Sequence, residues 1–203
     1  MPDQPTPDQQ SSGQPFTVLV VCTGNVCRSP LAEQLLLSAL AKAPALAGEV
    51  VIHSAGTEAP VGAPMSPPSA AISVREGSNP EGHVARQITA EMVREADLIL
   101  VATRGHRSDV ARIVPRAARR LFTIREFGRF ADAVLQSEPG IATSADDLRG
   151  LVDQAVALRG YLPAHDPELD DIIDPIGRSE RTYERMAGEL VPAVRAVAGL
   201  LFR

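Results

Sequence analysis

Cys22 closes the apolar run "FTVLVVC", and Arg28 follows six residues later, with a second cysteine, Cys27, just before it. A thiolate is a strong nucleophile, and the planar, permanently charged fork of an arginine matches two oxygens of a phosphate. Between them Thr23, Gly24, Asn25, Val26 and Cys27 supply successive backbone N–H groups. Gly24 has access to backbone conformations closed to other residues and Asn25 tolerates the left-handed region, so this stretch can curl into an anion-binding nest. Ser29 and Pro30 have the residue types of a helix N-cap and first helical position, and the dipole of that helix would aim positive charge at the same place. Arg28 and the helix terminus both favour a thiolate on Cys22, and Ser29 can hydrogen-bond the sulfur when it acts as a leaving group. The chemistry implied is attack by Cys22 on a phosphate held by Arg28.

Such a thiol belongs at the carboxyl end of a strand in an open parallel sheet, where ligands gather as strands hand over to helices. Short β-branched runs alternate with helical patterns along this chain, which implies a parallel sheet flanked by helices, an α/β fold. Strands are expected at Phe16–Cys22, Glu49–Ala55, Ala96–Thr103 and Arg119–Ile124. Helices are expected at Pro30–Ala43, Pro67–Glu76, Ala90–Glu95, Arg104–Val114, Ile124–Gln136, Ser144–Arg159 and Arg178–Leu201. Residues 1–15, rich in Pro, Gln, Ser and Asp, read as a disordered leader, and residues 16–203 as a single domain. The Pro- and Asp-rich stretch from Gly160 to Met186 reads as a long loop of functional kind.

At 203 residues, 44% hydrophobic and 22% charged, the chain can bury one sizeable core. Its formal net charge of -5 argues against nucleic acid as a partner, leaving the cluster Arg112, Arg116, Arg119 and Arg120 as a solvated helix face and turn. Two cysteines five residues apart make no disulfide framework and no zinc pair, so no metal or cofactor is expected. Neither a signal peptide nor an apolar run of membrane-crossing length is visible, and a soluble cytoplasmic protein is expected.

The stretch "VCTGNVCRSPLAE" resembles the signature of the low-molecular-weight protein tyrosine phosphatases, C-x5-R-[ST] near the N-terminus. "HSAGT", "GHVARQIT" and "ADLILVAT" resemble further family segments in the same order. The resemblance implies a three-layer αβα sandwich of flavodoxin-like type, with a four-stranded parallel sheet in the order 2-1-3-4 and the phosphate-binding loop after the first strand. The family is shorter than this chain, and the surplus falls in the leader and in a helical insertion over 127–161. Hydrolysis through a phosphocysteine needs an acid for the leaving oxygen and then a base for water. The family places that group in an Asp-Pro pair near the C-terminus, and of Asp166-Pro167 and Asp174-Pro175 the second stands just before the last helix, which favours Asp174. Asn25, Ser29 and His83 match positions that support the phosphate loop. Cys27 matches a position that can trap Cys22 as a disulfide, or it fills space.

The aromatic residues that flank phosphotyrosine in the family are absent from "EAPVGAPMSPP" and "DPIGRSERTYERM", leaving Ile176 or Met65 to supply apolar contact. Val26 stands where related arginine phosphatases carry threonine. The implied partner is a phosphorylated protein, phosphotyrosine first, with another phosphomonoester as an alternative substrate. Arsenate reduction through an external thiol is the alternative chemistry, since no cysteine follows Cys27 to form a relay.

Overall fold

In the computed structural model, which describes residues 13–137, 140–161 and 166–203, the four apolar runs pair as one parallel sheet. The strands are β1 (Phe16–Cys22), β2 (Val50–Gly56), β3 (Leu98–Val101) and β4 (Leu121–Thr123), in the order β2-β1-β3-β4. Seven α-helices are described: α1 (Arg28–Leu40), α2 (Pro67–Arg75), α3 (Ala90–Glu95), α4 (Arg104–Ile113), α5 (Ile124–Leu135), α6 (Ala145–Ala157) and α7 (Glu180–Leu201). The strands read as unbroken apolar runs because helices cover both faces of the sheet. Val18, Val20, Leu98, Leu100 and Phe122 face one layer, with Leu31 of α1, Phe127 of α5, Leu148 of α6 and Leu190 of α7. Leu19, Val21, Ile99, Val101 and Leu121 face the other, with Val93 of α3 and Val110 of α4. The fold is therefore the three-layer, flavodoxin-like sandwich that the resemblance implies.

At the head of α1 one detail differs from the sequence reading and a second narrows it. The helix begins at Arg28 with Cys27 as its N-cap, so Ser29 and Pro30 lie inside the first turn rather than at N-cap and N1. The reason is that the Ser29 hydroxyl is engaged by Asn25 and Cys22 and caps nothing. Gly24 is not in the left-handed region; Asn25 alone takes that conformation in the loop, with φ 52°. Elsewhere the expected strands lose residues at their ends. Arg119 and Arg120, for example, belong to a short 3-10 turn, Pro115–Arg120, before β4.

Within the long-loop stretch residues 167–170 form a turn of 3-10 helix, and α7 begins at Glu180, close to its expected start at Arg178, while residues 162–165 lie outside those described. Of the leader, residues 1–12 also lie outside them, whereas the carbonyls of Gln14 and Pro15 accept hydrogen bonds from Arg149. Of the arginine cluster, Arg120 is not on a solvated face: it donates to the carbonyls of Val93 and Arg94 and so closes the end of α3. Met65 is buried in the core and cannot line an open mouth.

Candidate active site

Cys22 ends β1 opposite Gly56 of β2, and the chain then turns through Thr23–Cys27 into α1. This puts the thiol at the carboxyl edge of the sheet, under the first turn of a helix. The turn is held from outside by backbone: Thr57 N–H donates to the Cys22 carbonyl and Glu58 N–H to that of Thr23, both at 2.9 Å. Ser66 N–H donates to the Val26 carbonyl at 2.7 Å.

Asn25 holds the loop from within, fully buried and in the left-handed conformation that asparagine tolerates. Its Nδ2 donates to Ser29 Oγ at 3.0 Å and to Ser54 Oγ at 2.7 Å, and its Oδ1 accepts from Arg86 N–H at 2.8 Å. Its carbonyl accepts from His83 Nε2 at 2.7 Å, and His83 Nδ1 lies 3.6 Å from Glu33 Oε2. The Ser54 hydroxyl in turn donates to Glu33 Oε2 at 2.6 Å. Ser29 Oγ, which accepts from Asn25, lies 3.0 Å from Cys22 Sγ and 3.5 Å from the Ala55 carbonyl, so its hydrogen can serve either, and a thiolate at Cys22 would take it.

Arg28 is 3% exposed, which brings its charge out of water and against the loop. Nη1 donates to the Ile172 carbonyl at 3.3 Å, while Nη2 donates to Thr23 Oγ1 at 3.2 Å and to Asp174 Oδ2 at 2.6 Å. Its Nε is buried with no partner among the described residues. Asp174 is 42% exposed at its side chain, and its other oxygen accepts from Ile176 N–H at 3.2 Å. Asp166 is exposed and its carboxylate accepts Glu168 N–H, so it serves a local turn. Cys27 faces Ser66 Oγ at 3.1 Å and the Tyr183 hydroxyl at 3.8 Å. Both cysteines are free.

Of the residues read from sequence, Cys22, the loop from Thr23 to Cys27, Arg28, Ser29, His83 and Asp174 thus come together at one end of the sheet. Three further contributors escape the sequence reading: Ser54, Glu33 and His106. Ser54 and Glu33 lie inside quoted segments, "HSAGT" and "PLAE", but nothing local marks them as neighbours of Asn25. His106 Nε2 lies 2.9 Å from Thr23 Oγ1 and its Nδ1 lies 2.7 Å from Thr103 Oγ1, the N-cap of α4. Burial first, and then the charge of Arg28, lowers the His106 pKa to about 4, so the ring is neutral near pH 7. Among the described residues no group of three or more His, Cys, Asp or Glu is placed to hold a metal ion, and no helix is long and apolar enough to cross a membrane.

A cysteine loop closing on an arginine at the end of the first strand of such a sandwich defines a phosphate-loop protein of the flavodoxin-like class. The chain belongs to the low molecular weight phosphotyrosine protein phosphatase family, whose model matches residues 17–153. Over 99 residues it is 42% identical to the probable low molecular weight protein-tyrosine-phosphatase AmsI of Erwinia amylovora, a match covering 49% of this chain and 64% of AmsI. It is 40% identical over 99 residues to the low molecular weight protein-tyrosine-phosphatase Etp of Escherichia coli strain K12, covering 49% of this chain and 62% of Etp. These matches span less than two thirds of either relative's own length. In three dimensions the crystal structure of AmsI superposes with a TM-score of 0.63 at 28% identity, covering 95% of this chain and 97% of that one. The YwlE arginine phosphatase from Geobacillus stearothermophilus superposes with a TM-score of 0.63 at 25% identity, covering 91% and 92%.

Proposed function

We propose that the protein hydrolyses phosphomonoesters through a phosphocysteine on Cys22, with phosphotyrosine in proteins as the leading substrate. The observation that carries this reading is the buried Arg28, its Nε without a partner among the described residues, at the head of α1 six residues after a thiol that Ser29 Oγ meets at 3.0 Å. A dianionic phosphate would satisfy that Nε and take over Nη2, releasing Asp174. Cys22 then attacks phosphorus; the S–P bond forms as the P–O bond breaks, and the leaving oxygen takes a proton from Asp174. In the second half Asp174 accepts a proton from water, which attacks phosphorus and returns the electron pair to sulfur. Ser29 stabilises the departing thiolate, and the products are inorganic phosphate and free enzyme. Asn25, His83, Ser54 and Glu33 keep the loop in its bound shape before substrate arrives.

No metal enters these steps. Two free, buried thiols suit a reducing compartment, and the cytoplasm is the proposed location. One observation favours a second substrate reading: the residue after Asp174-Pro175 is the 54% exposed aliphatic Ile176, which offers no ring to stack on a phenyl group, so a non-aromatic phosphomonoester is the alternative.

The test is turnover of aryl phosphates in the presence of a chelator. Cys22→Ser is expected to abolish it, and Asp174→Asn to slow it about 100-fold or more, with vanadate binding retained. Undiminished turnover by Cys22→Ser would sink the assignment, and a larger effect from Asp166→Asn would move the acid there.

A further inference from the structure

Asp174 sits in a stretch of chain, Asp171–Arg178, that has no helix or strand of its own. A general acid must be held within hydrogen-bond reach of the leaving oxygen, so something outside this stretch must fix it. Its entry is tied down residue by residue. Asp170, 9% exposed, accepts from Arg129 Nη1 at 2.6 Å. The Asp171 carboxylate accepts Arg104 N–H at 2.7 Å, and its carbonyl lies 3.5 Å from Arg125 Nη1. Ile172 N–H donates to the Ala102 carbonyl at 2.9 Å, and Ile173 N–H to Glu189 Oε2 at 2.9 Å. Arg28 Nη1 then takes the Ile172 carbonyl, two residues before the carboxylate that Nη2 holds.

Two of these ties, Arg125 and Arg129, come from α5, one turn apart, and Arg129 also donates to the Arg125 carbonyl at 3.3 Å. Helix α5 is a rigid mount. Thr123 and Glu126 close its N-terminus as a reciprocal capping box. Phe127 and Phe130 pack edge-on against Phe122 at 5.0 and 5.9 Å between ring centres. Gly128 lies so close to α7 that a methyl group there would meet the Ala193 carbonyl at 3.1 Å. A single partly exposed ion pair contributes little stability. Arg129–Asp170 is placed instead where it fixes the path of the chain four residues before the acid.

We propose that Arg129 is a positioning residue for the general acid: by anchoring Asp170 to α5 it holds Asp174 over the leaving group, which gives the helical segment after β4 a role in catalysis. This rests on the assignment of Asp174 as the acid. It distinguishes Arg129 from a residue that merely supports folding, because proton donation matters in proportion to how poor the leaving group is. p-Nitrophenolate leaves with little help, whereas phenolate needs the proton.

The experiment compares kcat/KM, which covers the steps through S–P bond formation, for p-nitrophenyl phosphate and phenyl phosphate. The proteins are the full-length wild type, Arg129→Met, Arg129→Lys, Asp170→Asn and Asp174→Asn, with competitive inhibition by inorganic phosphate measured on each. Arg129→Met is expected to lower kcat/KM for phenyl phosphate about tenfold more than for p-nitrophenyl phosphate, a fraction of the full effect of a general acid. Phosphate inhibition should stay within about twofold of wild type, Arg129→Lys should restore much of the loss, and Asp170→Asn should reproduce it. Equal losses on both esters, or none, would overturn the proposal while Asp174→Asn still shows leaving-group dependence. If Asp174→Asn itself shows none, the acid assignment fails and this inference falls with it.

Discussion

Gly56→Ala should damage the phosphate loop from the neighbouring strand. Gly56 ends β2 opposite Cys22, and its backbone is held on both sides, N–H to the Arg86 carbonyl at 2.8 Å and carbonyl to Ile88 N–H at 2.9 Å. A methyl group there would lie 2.4 Å from the Thr23 carbonyl oxygen, 3.0 Å from Asn25 N and 3.0 Å from the Ala59 methyl. The first two are backbone atoms of the loop itself, so no side chain can swing aside. Even close C–H···O contacts keep carbon and oxygen about 3.3 Å apart, so the loop must move by roughly 0.9 Å. Overpacking of this kind costs about 1–3 kcal/mol. A shift of about 1 Å in a reacting group can lower turnover about 100-fold. Urea unfolding followed by circular dichroism, together with kcat/KM on p-nitrophenyl phosphate, measures both effects. Gly150→Ala in α6, where the added methyl meets no atom within 4 Å, is the control and should gain up to about 1 kcal/mol with activity unchanged. Wild-type stability and activity in Gly56→Ala would falsify the claim that contact between β2 and the loop sets the loop's shape.

Ser29→Ala removes the donor to the leaving sulfur and should slow phosphocysteine breakdown at least about tenfold, so acid quenching during turnover should trap more phosphoenzyme than in wild type. His106 has its pKa lowered to about 4 in the folded protein, against an ordinary value of 6.5. The unfolded chain therefore binds the extra proton between these values, so stability is complete above pH 6.5 and is lost as the pH falls toward 4, by at most about 3 kcal/mol. His106→Gln should flatten that part of the stability–pH curve; an unchanged slope would show that His106 is not the titrating group.

Much of the site is written in one contiguous stretch, which makes it legible in the sequence. Cys22, Asn25, Arg28 and Ser29 span the end of β1, the turn after it and the start of α1, where backbone sterics and helix-end electrostatics act over a few residues and leave a local pattern. Within that stretch the left-handed tolerance of Asn25 is used, while residue preference misleads once, pointing to Ser29 rather than Cys27 for the N-cap. There a side chain's tertiary partners outweigh the preference of its residue type. The apolar runs announce their strands because parallel strands covered on both faces must be apolar throughout.

The partners of these residues cannot be read in the same way. Thr23 meets His106 from 83 positions away, Asn25 meets Ser54 from 29, Arg28 meets Asp174 from 146, and Asp170 meets Arg129 from 41. A histidine beside arginines, a serine within a strand and an aspartate in an acidic run are each unremarkable locally, and local pattern alone wrongly places Arg120 and Met65 at the surface. What brings them to the loop is the order of the strands, which carries the β3–α4 corner and the chain entering α7 to the side of β1. Local chemistry thus selects Cys22 and Arg28 as the proposed nucleophile and phosphate-binding arginine, and the likeness that points to Asp174. Packing across the sheet decides how Asp174 is held and which groups surround the loop, because hydrogen-bond partners distant in sequence become neighbours only when the sheet closes.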